Sequence, residues 1–345
     1  MDVKVTITAC TITKNSAPYI RRWIACMMEY ADELIVVDLG SNDDTVKIAE
    51  ACGVNVFSYS SQEDKATAMN FALDQAKGDW VIFVAPHEFF GCTYSKALRE
   101  FLALHSESLG LALEYLYMNE KGESFERNRV LPLPILRRES NIRYVGGNNP
   151  HLEFPRGDKF LFTKDMALYS VPAFTPDISA CCITKDEEKN LPRWLENVKI
   201  YADEVIVVDT GSTDNTRKIT RNDPVASLYS FKWINDFSAA KNYALDQSAA
   251  DWVVFPDADE FFTDKTVHRL RGLLEWLHPQ KDVGFIECRL VNIDENKQNI
   301  RDDTTQQRIF RCDKSIRYKG AIHEVALDSA KPERRILFVK QLEIH

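Results

Sequence analysis

Phe255-Pro256-Asp257-Ala258-Asp259-Glu260 has an earlier counterpart, Phe83-Val84-Ala85-Pro86-His87-Glu88, from which both aspartates are missing. The correspondence extends outward: Asn70 to Phe90 aligns without gaps to Asn242 to Phe262, and 12 of those 21 positions are identical. Ile7-Thr-Ala-Cys-Thr-Ile-Thr-Lys14 matches Ile178-Ser-Ala-Cys-Cys-Ile-Thr-Lys185, and Tyr30-Ala-Asp-Glu-Leu-Ile-Val-Val-Asp38 matches Tyr201-Ala-Asp-Glu-Val-Ile-Val-Val-Asp209. The repeat reads as a tandem duplication and predicts two homologous domains, 1–174 and 175–345. Their seam falls near Val171 to Pro176, whose two prolines and lack of periodicity suit a linker.

Each copy alternates strand and helix, the pattern of a largely parallel α/β sheet covered by helices. In the second copy Ile178 to Ile183 reads as a strand, with a helix from about Leu191 that has Pro192 in its first turn. Glu204 to Val208 is the next strand, and Asp209-Thr-Gly-Ser-Thr-Asp214 the turn after it. Phe237 to Gln247 reads as a helix, and Trp252 to Pro256 as a short buried strand. That strand carries Asp257 and Asp259 to the carboxyl edge of the sheet, where open α/β sheets bind ligands. Spaced i, i+2, the two carboxylates point the same way and can converge on one divalent cation.

Composition is that of a globular protein, 45% hydrophobic and 28% charged. The net charge of −9 argues against nonspecific affinity for nucleic acid or an anionic membrane surface. No apolar run has the length of a membrane span, and the N-terminus enters a strand pattern at once, without a secretory signal. The eight cysteines include no Cys-x-x-Cys pair and several fall inside strands or helices, so reduced core thiols in a cytoplasmic protein are expected rather than a disulfide framework.

Thr184-Lys-Asp-Glu187, Val207-Val-Asp-Thr-Gly-Ser-Thr-Asp214, Asn235-Asp-Phe-Ser-Ala-Ala-Lys-Asn242, Asp257-Ala-Asp259, and Arg308-Ile-Phe-Arg311 followed by Gly320-Ala-Ile-His-Glu324 occur in order. This series resembles that of family 2 glycosyltransferases with the GT-A fold, in particular the bacterial group of peptide S-glycosyltransferases and lipopolysaccharide-core glucosyltransferases. The resemblance covers residues 177–345. It implies two tandem GT-A (Rossmann-like) domains, the second catalytic and the first degenerate. It also implies a metal site for the donor diphosphate, with Asp259 on the metal, Asp257 on the ribose and reaching the metal through water, and His345 completing the ligand set. Oxygen ligands suit Mg²⁺ or Mn²⁺, and an added imidazole favours Mn²⁺. The alternatives are a solvated acidic loop or a helix cap for the aspartates, and a bystander for His345.

By the same resemblance Thr184, Asp186 or Glu187, and Asp209 contact the base and ribose, and Asp214 supports the pocket. For Asp209 and Asp214 turn and cap chemistry is the competing reading. Lys241 would neutralise the diphosphate, with an ordinary solvated helix lysine as its rival. The acceptor must lose a proton as it attacks, which calls for a base: Glu324, with His323 beside it, or else Glu260. Glu260 is retained as Glu88 in the first copy, which a structural role explains equally well. Arg308 and Arg311 serve the acceptor or phosphates, or lie on a surface strand. In the first copy Met69 stands for Lys241, Ala85 and His87 for the aspartates and Tyr169 for His345, while His151-Leu152-Glu153 follows a two-residue insertion.

The reaction this implies is inverting, metal-dependent transfer of a sugar from a nucleotide-diphosphate donor to a protein, peptide, lipid or polysaccharide. UDP is the family's commonest nucleotide. A sugar nucleotidyltransferase would need a glycine-rich loop after its first strand, and Cys181 to Glu187 contains no glycine. A noncatalytic binding or scaffold protein is the other alternative, favoured if neither half binds a nucleotide.

Overall fold

The structure is a computed structural model and describes residues 5–59, 64–92, 94–118, 124–126, 134–140, 142–153, 160–170, 175–291 and 304–345. Residues 171–174 of the expected linker lie outside the described residues. The chain divides into two compact units, Met1–Phe174 with Glu275–Gln280, and Thr175–Leu274 with Lys281–His345.

In the first unit β1 (Ile7–Thr13), α1 (Ala17–Tyr30), β2 (Glu33–Asp38), α2 (Thr45–Ala51), β3 (Asn55–Ser58), α3 (Lys65–Gln75) and β4 (Trp80–Phe83) alternate. They are followed by β5 (Glu88–Phe90), α4 (Ser95–Leu104), β6 (Gly110–Met118), β7 (Ser124–Glu126), β8 (Ile135–Arg137), β9 (Arg143–Val145), β10 (His151–Glu153) and β11 (Phe160–Ser170). The second unit runs β12 (Ile178–Thr184), α5 (Leu191–Val198), β13 (Glu204–Asp209), α6 (Thr216–Asn222), β14 (Ala226–Ser230), α7 (Phe237–Gln247), β15 (Trp252–Val254) and α8 (Asp264–Leu277). Then come β16 (Val283–Leu290), β17 (Thr304–Arg311), β18 (Ile316–Lys319), β19 (Val325–Asp328) and β20 (Arg335–Ile344).

The fold is mixed α/β with two large, parallel-rich sheets, as the sequence predicts. Their strand orders correspond: β3-β2-β1-β4-β8-β6-β11 in the first, β14-β13-β12-β15-β17-β16-β20 in the second, with β5 added at the edge of the first. The registers correspond too, Ile7 pairing with Trp80 where Ile178 pairs with Trp252. Central strands read as unbroken apolar runs because parallel strands are buried on both faces; Val205, Ile206, Val207 and Val208 are all inaccessible.

Helix α7 is capped by Asp236, whose side chain accepts from the Ala239 N–H at 3.0 Å. Its buried stripe is Ser238, Ala240, Lys241, Ala244 and Leu245, so small residues bring the helix close to the sheet and Lys241 points inward with them. The next residue, Asn242, acts as a clasp. Its amide donates to the Tyr318 carbonyl at 3.0 Å and its carbonyl accepts from the Tyr318 N–H at 2.9 Å, fixing the β18–β19 hairpin to the helix. Asn70 and Tyr144 make the same pair of bonds in the first unit, both 2.8 Å. This gives a physical reason for the asparagine's presence in both copies.

The clasp also fixes the hairpin correspondence. With Tyr144 opposite Leu152 and Tyr318 opposite Ala326, the loops 146–150 and 320–324 have equal length. The two-residue insertion read from the sequence is therefore absent, and His151 occupies the place of Val325 rather than of His323. The similarity of His151-Leu152-Glu153 to His323-Glu324 is thus one of sequence only, and the backbone correspondence is anchored at the tyrosine.

Asn242→Ala leaves a strand N–H and C=O without partners, and we expect it to lower the unfolding free energy by about 2–3 kcal/mol. Urea unfolding followed by tryptophan fluorescence checks this; an unchanged midpoint would remove the clasp from the account.

Candidate active site

The segment after β15 is a tight turn closed by its own glutamate. The Asp257 N–H donates to Glu260 Oε2 at 2.9 Å, and the Glu260 N–H to the Asp257 carbonyl at 3.0 Å. In the first unit the Ala85 N–H donates to Glu88 Oε2 at 2.7 Å and the Glu88 N–H to the Ala85 carbonyl at 2.9 Å. The glutamate common to both copies thus has a turn-closing role that needs no catalysis. Asn197 of α5 clasps the far side of the turn through the Phe262 N–H and C=O, at 3.0 and 2.8 Å.

Two cations meet this turn. Lys241 is 2% exposed; its Nζ lies 2.6 Å from Glu324 Oε1 and 3.4 Å from Asp257 Oδ1, and 5.3 and 5.1 Å from the ring centres of Phe255 and Tyr318. An ammonium this deep needs charged or π partners to offset lost hydration, and it has both. The solvated-lysine alternative does not hold. Arg308 Nη2 lies 2.8 Å from Asp257 Oδ2 and 2.6 Å from Glu260 Oε1. Burial lowers the Arg308 pKa, but Asp257 and Glu260 outweigh it and the net direction is upward. Burial pushes the Glu260 carboxyl above the usual carboxylate range, with Arg308 opposing.

Arg308 belongs to this edge and not to a surface strand. Strand pairing places it there: Val254 lies opposite Ile309 and the Phe255 N–H donates to the Arg308 carbonyl at 2.7 Å, which sets Arg308 beside the Asp-x-Asp turn. A signal was available, since Pro134-Ile135-Leu136-Arg137 replaces Arg308-Ile309-Phe310-Arg311 and loses only the first arginine. Arg311 lies elsewhere, donating to the Val283 carbonyl at 2.8 Å and stacking 4.4 Å from a Trp252 ring centre.

Asp259 is exposed and makes no hydrogen bond or ion pair among the described residues. His345 is joined to the same turn by reciprocal backbone bonds with Phe261, both 2.8 Å, and its ring centre lies 5.7 Å from that of Phe261. Partial burial lowers the imidazole pKa, favouring the neutral form that ligates metals. Tyr169 holds the matching position opposite Phe89. Among the described residues no three His, Cys, Asp or Glu side chains converge as a ready-made ion site. Asp257 is moreover engaged by two cations. The donor set fits an ion shared between Asp259, His345 and the oxygens of a bound ligand, rather than one held by the protein alone.

Thr184 is the last residue of β12 and Asp209 the last of β13, and Asp186, Glu187 and Asp214 lie in the loops that follow these strands. Asp209 has an inaccessible side chain, bonded to Arg217 at 2.6 Å and to the N–H groups of Gly211 and Ser212 at 3.2 Å. Asp214 accepts from the Glu188 N–H at 3.0 Å and the Thr216 N–H at 2.9 Å. Both patterns are turn and cap chemistry. Asp186, with φ +57°, is exposed and accepts from the Thr213 N–H at 2.6 Å, which holds its carboxyl below the usual range. Glu187 bonds Asn190 at 2.8 Å. Thr184 is buried, and its hydroxyl has no partner among the described residues. His323, exposed with φ +57°, stands beside Glu324 in the loop after β18. The structure therefore brings together Lys241, Asp257, Glu260, Arg308 and Glu324, with Asp259 in the same turn and His345 bonded to its end at Phe261.

A model of the family described as glycosyl transferase family 2 matches residues 8–102 and 179–327. The chain belongs to glycosyl transferase family 2. Among curated relatives, a TPR repeat-containing protein of Synechococcus elongatus is 36% identical over 152 residues, 44% of this chain and 36% of that protein. The SPbeta prophage-derived glycosyltransferase SunS of Bacillus subtilis is 30% identical over 152 residues, 44% of this chain and 35% of its own length. The chain thus spans little more than a third of these family relatives. Among solved structures, S. aureus TarS is 18% identical, with 48% of this chain and 37% of that chain covered and a TM-score of 0.38. None of the eight cysteines is disulfide-bonded, and no helix among the described residues is long and apolar enough to cross a membrane.

Arg308→Met should destabilise the protein by about 2–4 kcal/mol at neutral pH, because Glu260 is left buried without its cation. Without Arg308 the Glu260 pKa rises further above its unfolded value, so the folded state binds more protons and stability falls as pH rises between those values. The deficit against the unaltered protein should therefore be smaller near pH ~4.5 than near pH ~8. Denaturant unfolding across that range measures it, and a pH-independent deficit would contradict the pairing.

Proposed function

We propose that the second unit transfers a sugar from a nucleotide-diphosphate donor, with a UDP-sugar as first choice, to an acceptor hydroxyl, amine or thiol in a single inverting displacement. The observation that carries this reading is the buried Lys241 ammonium, held between Asp257 and Glu324 and next to the Asp259–His345 edge. Such a cation can turn from a carboxylate toward a diphosphate entering the same edge. Asp259 and His345 would hold Mn²⁺ or Mg²⁺ against the diphosphate, where the ion stabilises charge on the leaving group.

Glu324 is assigned as the base. Its Oε1 faces Lys241 while Oε2 has no partner among the described residues, so one oxygen remains to accept the acceptor's proton. Both Glu260 oxygens are engaged, one by Arg308 and one by the Asp257 N–H. Glu260 then braces the turn and Arg308 orients Asp257. We further read the first unit as a sister arising by duplication that lost this chemistry. Proline stands at the places of Arg308 and Glu324, methionine at that of Lys241, and alanine and histidine at those of the aspartates.

A UDP thermal-shift series should show stabilisation only with Mn²⁺ or Mg²⁺ present, and Asp257→Asn with Asp259→Asn should abolish both the shift and UDP release from the donor. Stabilisation surviving in chelator or in the double variant would overturn the metal role. Glu324→Gln should keep donor binding while turnover drops by about two or more powers of ten. Normal turnover in Glu324→Gln with loss in Glu260→Gln would exchange the two roles.

A further inference from the structure

In the first unit, the place equivalent to the Lys241 site is a cavity of about 320 Å³ rather than a charge cluster. Its wall includes Phe83, Tyr144, Glu88, Met69 and Pro134, with Lys65 also contributing. In the second unit Phe255 and Tyr318 form an edge-on pair, ring centres 5.5 Å apart at 78°, over which the Lys241 ammonium sits. Phe83 and Tyr144 keep that geometry at 5.3 Å and 73°. The glutamate is kept as well. Both cations are gone, Lys241 having become Met69 and Arg308 Pro134.

Among the described residues Glu88 therefore has no ion-pair partner. Its Oε2 accepts the Ala85 N–H, and neither oxygen has a cationic partner among the described residues. Lys65 is exposed, and it forms no ion pair with Glu88. A carboxylate and two aromatic rings lining one cavity, with Asn148 and Asn149 beside them, form a receptor for positive charge, because the rings attract a cation and the carboxylate supplies a charge-assisted hydrogen bond. We infer that the first unit binds a small organic cation, a primary ammonium or guanidinium group on an aliphatic stem, whose charge takes the place that Lys241 and Arg308 fill in the second unit. The stem would lie against Met69 and Pro134. This site is independent of the proposed transfer reaction and needs no metal or nucleotide.

The test uses the full chain labelled with [methyl-¹³C]methionine, in which Met69 is one of six methionines and is assigned by Met69→Leu. Titration with n-butylammonium should shift the Met69 methyl signal saturably, while n-butanol of the same length binds at least about tenfold more weakly. Glu88→Gln keeps an oxygen for the Ala85 N–H but removes the charge, and should weaken n-butylammonium binding by about tenfold or more. Pro134→Arg returns a guanidinium to the cavity and should abolish it. The proposal is overturned if the Met69 signal does not move, if n-butanol binds as well as n-butylammonium, or if Glu88→Gln binds it as tightly as the unaltered protein.

Discussion

The buried ammonium of Lys241 is the interaction on which the candidate site depends. A lysine inside a sheet-facing helix stripe is unfavourable unless its charge is met, and here Asp257, Glu324 and two aromatic rings meet it. Three chain segments are thereby tied at one point: helix α7, the turn after β15 and the loop before β19. The Asn242 clasp supports the same junction from the backbone side. Arg308 extends it to Glu260, so three carboxylates share two cations in a partly buried cluster.

Much of this was legible in the sequence because the repeat supplied a comparison within one chain. Apolar runs gave the parallel strands, and the paired copies drew attention to Asp257, Asp259, Lys241 and His345. Tyr169 proved to be the positional partner of His345, since each lies opposite the first phenylalanine after the retained glutamate. Arg308 stayed ambiguous because its neighbour is set by antiparallel pairing of β15 with β17, whose register depends on packing and is not encoded locally. The hairpin correspondence is hidden from the sequence for a similar reason: the anchor is a side-chain amide on a helix 76 residues away from Tyr318. Glu260 and Asp209 illustrate a different limit. Acidic residues at strand ends serve turns and ligands with the same atoms, and only their hydrogen bonds tell the uses apart.

The first unit has the same strand order, an asparagine clasp and a glutamate-closed turn, with uncharged residues at the positions of Lys241 and Arg308. What remains is the part of the design that stabilises the fold. This separation is physically reasonable, since a buried cation without its carboxylates, or the reverse, would cost several kcal/mol, so the cluster is favoured only as a set.

Isothermal titration of UDP with Mn²⁺ into the full chain and into Lys241→Met tests the central claim most directly. The account predicts one nucleotide per chain, with binding lost when Lys241 becomes the methionine found in the first unit. Two nucleotides per chain, or undiminished affinity in Lys241→Met, would contradict it.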